Sequence, residues 1–476
     1  MTFWCPDTIR AVVSGTWVTR PRENQHDPFG VTIDSRQARP GQVFVALRGE
    51  RTEGHRFVGR AAERGCPLAI VEHTDEPLPD SIGIIRVEST IEALGRLAAA
   101  YRRSALALRV IAVTGSCGKT TTVRLIDAVL SQRLRGSASP RSFNNAIGVP
   151  LTLLNARPSD NYVVCEVGTN APGEIETLAR ICEPDVAVIT NIGRAHLERL
   201  GSVDGVAREK ASLLAHLRGG GLAFVPAECG ALHRHIRLFD RERLVTIGVG
   251  PEADLRVTGV VASPAGVRFS LNDRVNFEVP LLGEHNAINA AIAVGVGRRL
   301  GLGDEEIRAG LSRARGAEMR GQLVRLGPVT VINDAYNANP ESMIAGLKVL
   351  ATWRDARRVA VLGDMLELGD AALSEHRIVG EWMAAARAAE VVVLVGPLAR
   401  EMLGPIASAI GEESVHWFET LDGSSCSAVS SLIEPGDVVL LKGSRRMGLE
   451  RIAADLERRF VPDITSTSGD RASTRG

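Results

Sequence analysis

Residues 111–122 read Ile-Ala-Val-Thr-Gly-Ser-Cys-Gly-Lys-Thr-Thr-Thr, an apolar run that ends in two closely spaced glycines, a lysine and threonines. Strand, glycine loop, Lys-Thr and helix in this order predict a loop whose backbone N–H groups surround nucleotide phosphates. In that reading Lys119 neutralises the phosphates and the Thr120 hydroxyl holds Mg²⁺. Gly115 and Gly118 let the backbone approach the ligand, and Ser116 and Thr121 complete the loop. A helix starting near Lys119 points its positive end at the same anion. The general pattern has glycine where this chain has Val113, so the loop fits the shorter form T-G-x-x-G-K-T.

A phosphate loop of this type belongs to an α/β fold, and the rest of the chain agrees. Short apolar runs at 162–166, 186–191, 222–226 and 244–247 alternate with helical stretches, the pattern of a parallel sheet covered on both faces. Residues 256–279 alternate in polarity around Gly266 and Asn272-Asp273 and predict a small antiparallel region; 283–300 is an Ala-rich helix. A second open sheet is expected from strands at 323–333, 358–362, 391–395 and 438–441, with helices at 340–351, 374–386 and 448–459. Before the loop, strands at 43–47, 68–71 and 82–87 mix with helices at 56–64 and 90–103. The 476 residues therefore divide into a smaller N-terminal α/β domain (1–108), a central P-loop parallel-sheet domain (109–318) and a C-terminal Rossmann-like domain (319–461). A polar tail, 462–476, reads as disordered.

Fifty-six basic and 56 acidic residues give a formal net charge of zero, which argues against a dedicated nucleic-acid or membrane-surface protein. Cys5, Cys66, Cys117, Cys165, Cys182, Cys229 and Cys426 are odd in number, widely spaced and without C-x-x-C, as in a reducing compartment. The first ten residues lack an apolar signal core, and no apolar run is long enough to span a bilayer. A cytoplasmic protein without a membrane span is expected.

Chemistry-bearing residues gather at predicted strand ends, where open α/β sheets bind ligands. Glu166 ends one strand; Asn191 ends the next, with His196 shortly after. Each alone reads as a paired acid or a loop histidine, but beside a phosphate loop a carboxylate and an imidazole suit a divalent metal. Lys210, in Ala-Arg-Glu-Lys-Ala-Ser, reads on spacing alone as a solvated helix lysine. Residues 333–340, Asn-Asp-Ala-Tyr-Asn-Ala-Asn-Pro, suit a turn and helix start, or a nucleotide contact. Asn286 and Asn289, three apart, share a helix face.

Taken together, these stretches resemble the Mur ligases, ATP-dependent amide-forming enzymes of bacterial cell-wall synthesis. Asp34-Ser35-Arg36 with 40–47 is similar to the family's uridine-nucleotide module, and 114–121 to its phosphate loop. Residues 144–150 (Asn-Asn-Ala-Ile-Gly-Val-Pro) and 190–198 (Thr-Asn-Ile-Gly-Arg-Ala-His-Leu-Glu) resemble central motifs. Residues 333–340, 362–369 and 442–445 point to the dipeptide-adding branch. The resemblance implies ATP and Mg²⁺, with UDP-N-acetylmuramoyl-tripeptide and D-alanyl-D-alanine as partners, and a monomer. It implies catalytic roles for Lys119, Lys210 and His196, and metal ligation by Thr120, Glu166, His196 and Lys210, the last as a carbamylated lysine. Nucleotide contacts are implied for Asn286, Asn289, Arg320, Asp334, Asn337 and Asn339, and substrate contacts for Ser35, Arg36, Asn144 and Asn145. Two departures stand out: Glu53-Gly54-His55 where the family often has Asp-Gly-His, and Ala211-Ser212 after Lys210 where it usually continues Gly-Glu. Another amino acceptor, a folylpolyglutamate-type ligase, or a P-loop ATPase switch are the other readings of the same motifs.

Overall fold

The computed structural model describes residues 3–22, 28–49, 53–74 and 79–461. The polar segment 462–476 lies outside the described residues. Three sheets follow one another along the chain.

The first contains β1 (Thr16–Thr19), β2 (Val31–Thr32), β3 (Val43–Val45), β4 (Leu68–Val71) and β5 (Gly83–Arg86), in the order β1-β5-β4-β3-β2. Only β1 runs antiparallel to its neighbour. The second contains β6 (Arg109–Thr114), β7 (Gly136–Ala138), β8 (Tyr162–Glu166), β9 (Val186–Ile189), β10 (Leu222–Pro226), β11 (Leu244–Gly248), β12 (Leu255–Ser263), β13 (Gly266–Leu271) and β14 (Val275–Val279). Its order is β14-β13-β12-β11-β10-β9-β6-β8-β7, parallel from β12 to β7. The antiparallel ribbon expected at 256–279 is β12–β14, joined to the edge of the parallel sheet. The third contains β15 (Gln322–Leu326), β16 (Val329–Asp334), β17 (Arg358–Gly363), β18 (Val391–Val395), β19 (Val415–Phe418) and β20 (Val438–Lys442), ordered β15-β16-β20-β17-β18-β19. All neighbours in it are parallel except β15–β16.

Strand alternation explains why the two larger sheets carry helices on both faces. On β6, Val110 and Ala112 enter one core while Ile111 and Val113 enter the opposite one. On β17, Ala360 and Leu362 pack with the helices Pro340–Leu350 and Ala372–Ala386, whereas Val359 and Val361 pack with Gly423–Ser431 and Glu450–Phe460.

The first and second sheets share one continuous core: Val43, Val45, Leu68 and Ile70 cluster with Val110, Ala112, Val163 and Cys165 through the helix Thr90–Ser104. Polar contacts reinforce it. The Asn155 amide donates to Val31 O at 3.0 Å and accepts from Val31 N–H at 3.2 Å, reading β2 as a neighbouring strand would. Tyr101 OH donates to Ala156 O at 2.8 Å. Arg102, with no exposed side-chain surface, ion-pairs with Asp185 at 2.7 Å and donates to the carbonyls of Leu108, Cys182 and Glu183. Truncating one member of such a buried set strands the others without partners. Arg102→Ala is expected to destabilise the central domain by about 3–5 kcal/mol, read as a lower denaturant midpoint.

Three sequence expectations change. The single strand expected at 323–333 is the hairpin β15–β16, because Gly327 turns the chain at φ +57° and Pro328 offers no N–H to continue a ladder. β7 and β19, of three and four residues, went unread, being too short to show a period. The helix expected at 56–64 is a 3₁₀ turn, Gly54–Phe57, followed by Val58–Glu63. All seven cysteines are free thiols. Among the described residues no helix is long and apolar enough to cross a membrane.

Candidate active site

β6 delivers the chain into the loop, and the helix Lys119–Leu130 leaves it with Gly118 as its N-cap. Gly115 (φ +152°) has no room for a side chain: a Cβ there would lie 1.9 Å from Thr190 Oγ1. The loop is held from β9's end, where Thr190 Oγ1 donates to Cys117 O at 2.5 Å and Asn191 Oδ1 accepts Cys117 N–H at 2.8 Å. Ser116 Oγ donates to Gly193 O and accepts Gly193 N–H, at 3.1 and 2.9 Å. Lys119 is half-buried and folds back onto Gly115 O at 2.7 Å. Its pKa is lowered from the usual lysine value, chiefly by desolvation, with the nearby Glu166 charge acting the other way.

Glu166, fully buried at the end of β8, accepts from Thr120 Oγ1 at 2.7 Å on one oxygen and from Asn144 Nδ2 at 2.9 Å on the other. Its own N–H donates to Ser139 Oγ at 2.9 Å. Asn144, read from sequence as a substrate contact, here orients the carboxylate. A hydroxyl and a carboxylate side by side at the base of a phosphate loop are the hard oxygen donors that suit Mg²⁺. Lys210 corrects the sequence reading: it is 1% exposed, not solvated. Its helix, Val203–Ala211, packs on Glu174–Cys182, and the adjacent Glu209 caps that helix by accepting from Gly173 and Ile175 N–H at 2.8 Å each. Among the described residues Lys210 has no hydrogen-bond or ion-pair partner. Burial, then the charge of Lys119, bring its pKa down to about 7.

A cavity of about 1040 Å³ opens over this loop, between the second and third sheets. Ser116, Gly118, Lys119, Thr121, Asn144 and Asn145 line its central-domain side, and so does His196. Asn286 and Asn289 line it from the start of the helix His285–Arg299; Asn289 Oδ1 accepts from Thr122 Oγ1 at 3.2 Å, tying that helix to the loop helix. Arg320, Asp334, Asn337 and Asn339 line it from the C-terminal domain. Arg320 stacks over Tyr336 with 4.1 Å to the ring centroid and donates to Ser142 Oγ at 3.2 Å. Asp334 ion-pairs with the buried Lys442 at 2.6 Å and accepts Gly321 N–H at 3.1 Å. Thr120, Glu166 and Lys210 lie buried beneath the floor. Ser35 and Arg36 do not line this cavity: Ser35 is buried, and Arg36 is turned onto Asp34 at 2.9 Å.

His196, at φ +56°, is held by the C-terminal domain: its Nδ1 lies 2.6 Å from Glu367 Oε2. Glu367 has a lowered pKa, chiefly through this bond, so it is the acceptor and Nδ1 carries the hydrogen. In the neutral ring Nε2 is then the nitrogen with a lone pair for a cation or a donor. Glu367 was not singled out from sequence; it lies 171 residues away, and only its place in the 362–369 motif signalled it.

Glu53, His55 and His73 also bring ligand atoms within 4.8 Å of one another. His55 Nε2, however, accepts Glu72 N–H at 2.8 Å, which places its hydrogen on Nδ1, facing Glu53. Both ring nitrogens are used, and the group is a hydrogen-bonded clasp at the Glu53-Gly54-His55 turn, not a metal centre.

The Mur ligase middle domain matches residues 113–297, the Mur ligase glutamate ligase domain 319–445, and the Mur ligase family catalytic domain 29–102. The chain is 35% identical over 458 residues to the UDP-N-acetylmuramoyl-tripeptide–D-alanyl-D-alanine ligase of Bacillus subtilis, covering 94% of this chain and 97% of that one. The chain belongs to the Mur ligase family. Among solved Mur ligases it superposes on MurF from Acinetobacter baumannii with TM-score 0.81 at 33% identity, over 95% of this chain and 98% of that one. MurF from Thermotoga maritima in complex with ADP gives 0.76 at 25% identity, over 91% and 98%. The three-sheet order is thus the Mur ligase architecture.

Proposed function

We propose that this Mur ligase joins D-alanyl-D-alanine to the terminal carboxylate of UDP-N-acetylmuramoyl-tripeptide at the expense of ATP, in cytoplasmic synthesis of peptidoglycan precursors, and that it acts as a monomer. The observation that carries the reading is the cavity lined by Lys119 above the buried Thr120–Glu166 pair and walled by the C-terminal domain, in a chain aligned nearly end to end with ligases of that name.

A carboxylate is a poor acylating agent, and phosphorylation converts it into a good one. The triphosphate lies on the N–H groups of residues 115–120 at the positive end of the loop helix. Lys119 leaves Gly115 O to meet the transferring phosphoryl group. The tripeptide carboxylate attacks that phosphorus in line, ADP departs, and an acyl phosphate forms. The uncharged dipeptide amine adds to the acyl carbon; the tetrahedral intermediate gives up the nitrogen's extra proton, which the departing phosphate takes, and the amide remains. Thr120 and Glu166 hold Mg²⁺, which supplies positive charge against the phosphate oxygens when bound. His196 presents Nε2 from the same central-domain wall, steadied by Glu367 of the C-terminal domain. Asn286, Asn289, Arg320, Asp334, Asn337 and Asn339 hold the rest of the nucleotide. The first sheet binds the uridine diphosphate, with Ser35 and Arg36 at its edge.

Lys210 is read as a carbamate. An uncharged amine adds CO₂, and burial beside Lys119 favours the uncharged form. Carbamylation replaces a buried cation that repels Lys119 with an anion that attracts it and offers oxygen to a second Mg²⁺.

Mass spectrometry of reactions offered a matrix of donors and acceptors tests the assignment. Ligated product is expected only with the muramoyl tripeptide, a D-alanyl dipeptide and ATP together. Equal ATP turnover with no amine present would replace the ligase reading with that of an ATPase.

A further inference from the structure

One charged cluster sits between the phosphate loop and the C-terminal domain, beside the cavity, which only its Glu341 lines. Arg194 lies in the loop after β9. Its Nε donates to Glu341 Oε1 at 2.8 Å, its backbone N–H faces both Glu341 oxygens at 3.2 and 3.3 Å, and its Nη1 lies 3.1 Å from Glu375 Oε2. Glu341 is in the first turn of the helix Pro340–Leu350, and Glu375 lies in the first turn of Ala372–Ala386. One guanidinium thus holds two acids from two helices of the third sheet. Each member is at most about a third exposed, so the group's attraction is screened less than a surface pair's.

The other side of Arg194 leads to the phosphates. The preceding residue, Gly193, exchanges two hydrogen bonds with Ser116, and a Cβ on Gly193 would press on Glu341 at 3.1 Å. The same C-terminal helix reaches the loop a second time: its N-cap, Asn339, accepts from Cys117 Sγ at 3.2 Å. Loop, Gly193-Arg194 and helix start form one connected unit.

We propose that Arg194 is a positioning residue that seats the C-terminal domain on the loaded phosphate loop and so keeps water from the acyl phosphate until the amine arrives. The inference rests on the ligase reading above. Without the guanidinium, Glu341 and Glu375 confront each other with like charge, and the helix starts are pushed off the loop. Water then attacks the acyl phosphate, the C–O bond to phosphate breaks, and the free acid and phosphate are released with no amide made; the ATP has already become ADP.

The test is the ratio of phosphate released to amide formed in one reaction. In the wild-type enzyme the ratio is one; if it forms no amide at all, the ligase reading itself fails, and not this inference. Arg194→Met is expected to lower kcat for the amide at least tenfold and to raise the ratio severalfold, with KM for ATP changed less than kcat. Glu341→Gln, which loosens the same contact from the other side, is expected to raise the ratio too, and serves if Arg194→Met does not fold. The exchanged pair, Arg194→Glu with Glu341→Arg, is expected to bring the ratio back toward one. A ratio that stays at one in Arg194→Met and Glu341→Gln, whatever their rates, overturns the proposal. So does an exchanged pair no better coupled than Arg194→Met.

Discussion

Lys119→Ala is expected to abolish turnover while leaving the protein folded. The lysine stands at the first residue of the loop helix with its ammonium against Gly115 O, so the charge is already inside the loop before any phosphate enters. Losing one such preorganised cation at a developing phosphoryl charge costs about 10³-fold or more in kcat. The fold is expected to survive for a physical reason. Lys119 is desolvated and its partner is a single carbonyl oxygen, so alanine removes a burden as well as a contact. The checks are amide formation by mass and the thermal unfolding profile. Turnover within tenfold of wild type would remove Lys119 from the phosphoryl step.

The second large effect is expected at Lys210. Lys210→Ala is expected to lose about 10²–10³-fold in kcat. It deletes no hydrogen bond, so it leaves a lysine-sized space under the loop rather than a broken network. A short carboxylate, acetate or propionate at millimolar concentration, is expected to enter that space and restore part of the rate, supplying the oxygens the carbamate would have offered. In parallel, the wild-type enzyme stripped of CO₂ is expected to slow and to recover with bicarbonate. No rescue by any short carboxylate, together with indifference to bicarbonate, would leave Lys210 as a buried cation with another task.

Lys119 and Lys210 also show where sequence reading is strong and where it fails. The phosphate loop is local: Gly115, Gly118, Lys119 and Thr120 are adjacent in the chain, and the geometry that demands those residues is built from their own backbone. The sheets were legible in the same way, because apolar runs such as 162–166 and 391–395 are buried on both faces. Lys210 was misread from its spacing because burial is not local. Its helix packs on a helix about 30 residues earlier, whose position depends on the whole sheet. The domain contacts were illegible for the same reason. Glu367 and Glu341 meet His196 and Arg194 across 171 and 147 residues, and nothing in the spacing of either segment announces the meeting. The hairpin β15–β16 was readable, since Gly327-Pro328 is a turn signal, but the β-branched residues on both sides of it masked the break.

The first and second sheets are built around a single apolar interior, with Asn155 and Tyr101 pinning one to the other. They therefore form one stiff piece, while the third sheet is built around cores of its own. If the proposed donor is anchored by its uridine nucleotide on the first sheet, that piece fixes its reach to the phosphate loop, and the substrate would be gauged against a fixed ruler. In that arrangement a peptide stem one residue short is expected to fall about 3.5 Å shy of the transfer point. Selection by length is then expected from the frame itself, ahead of any side chain that inspects the stem.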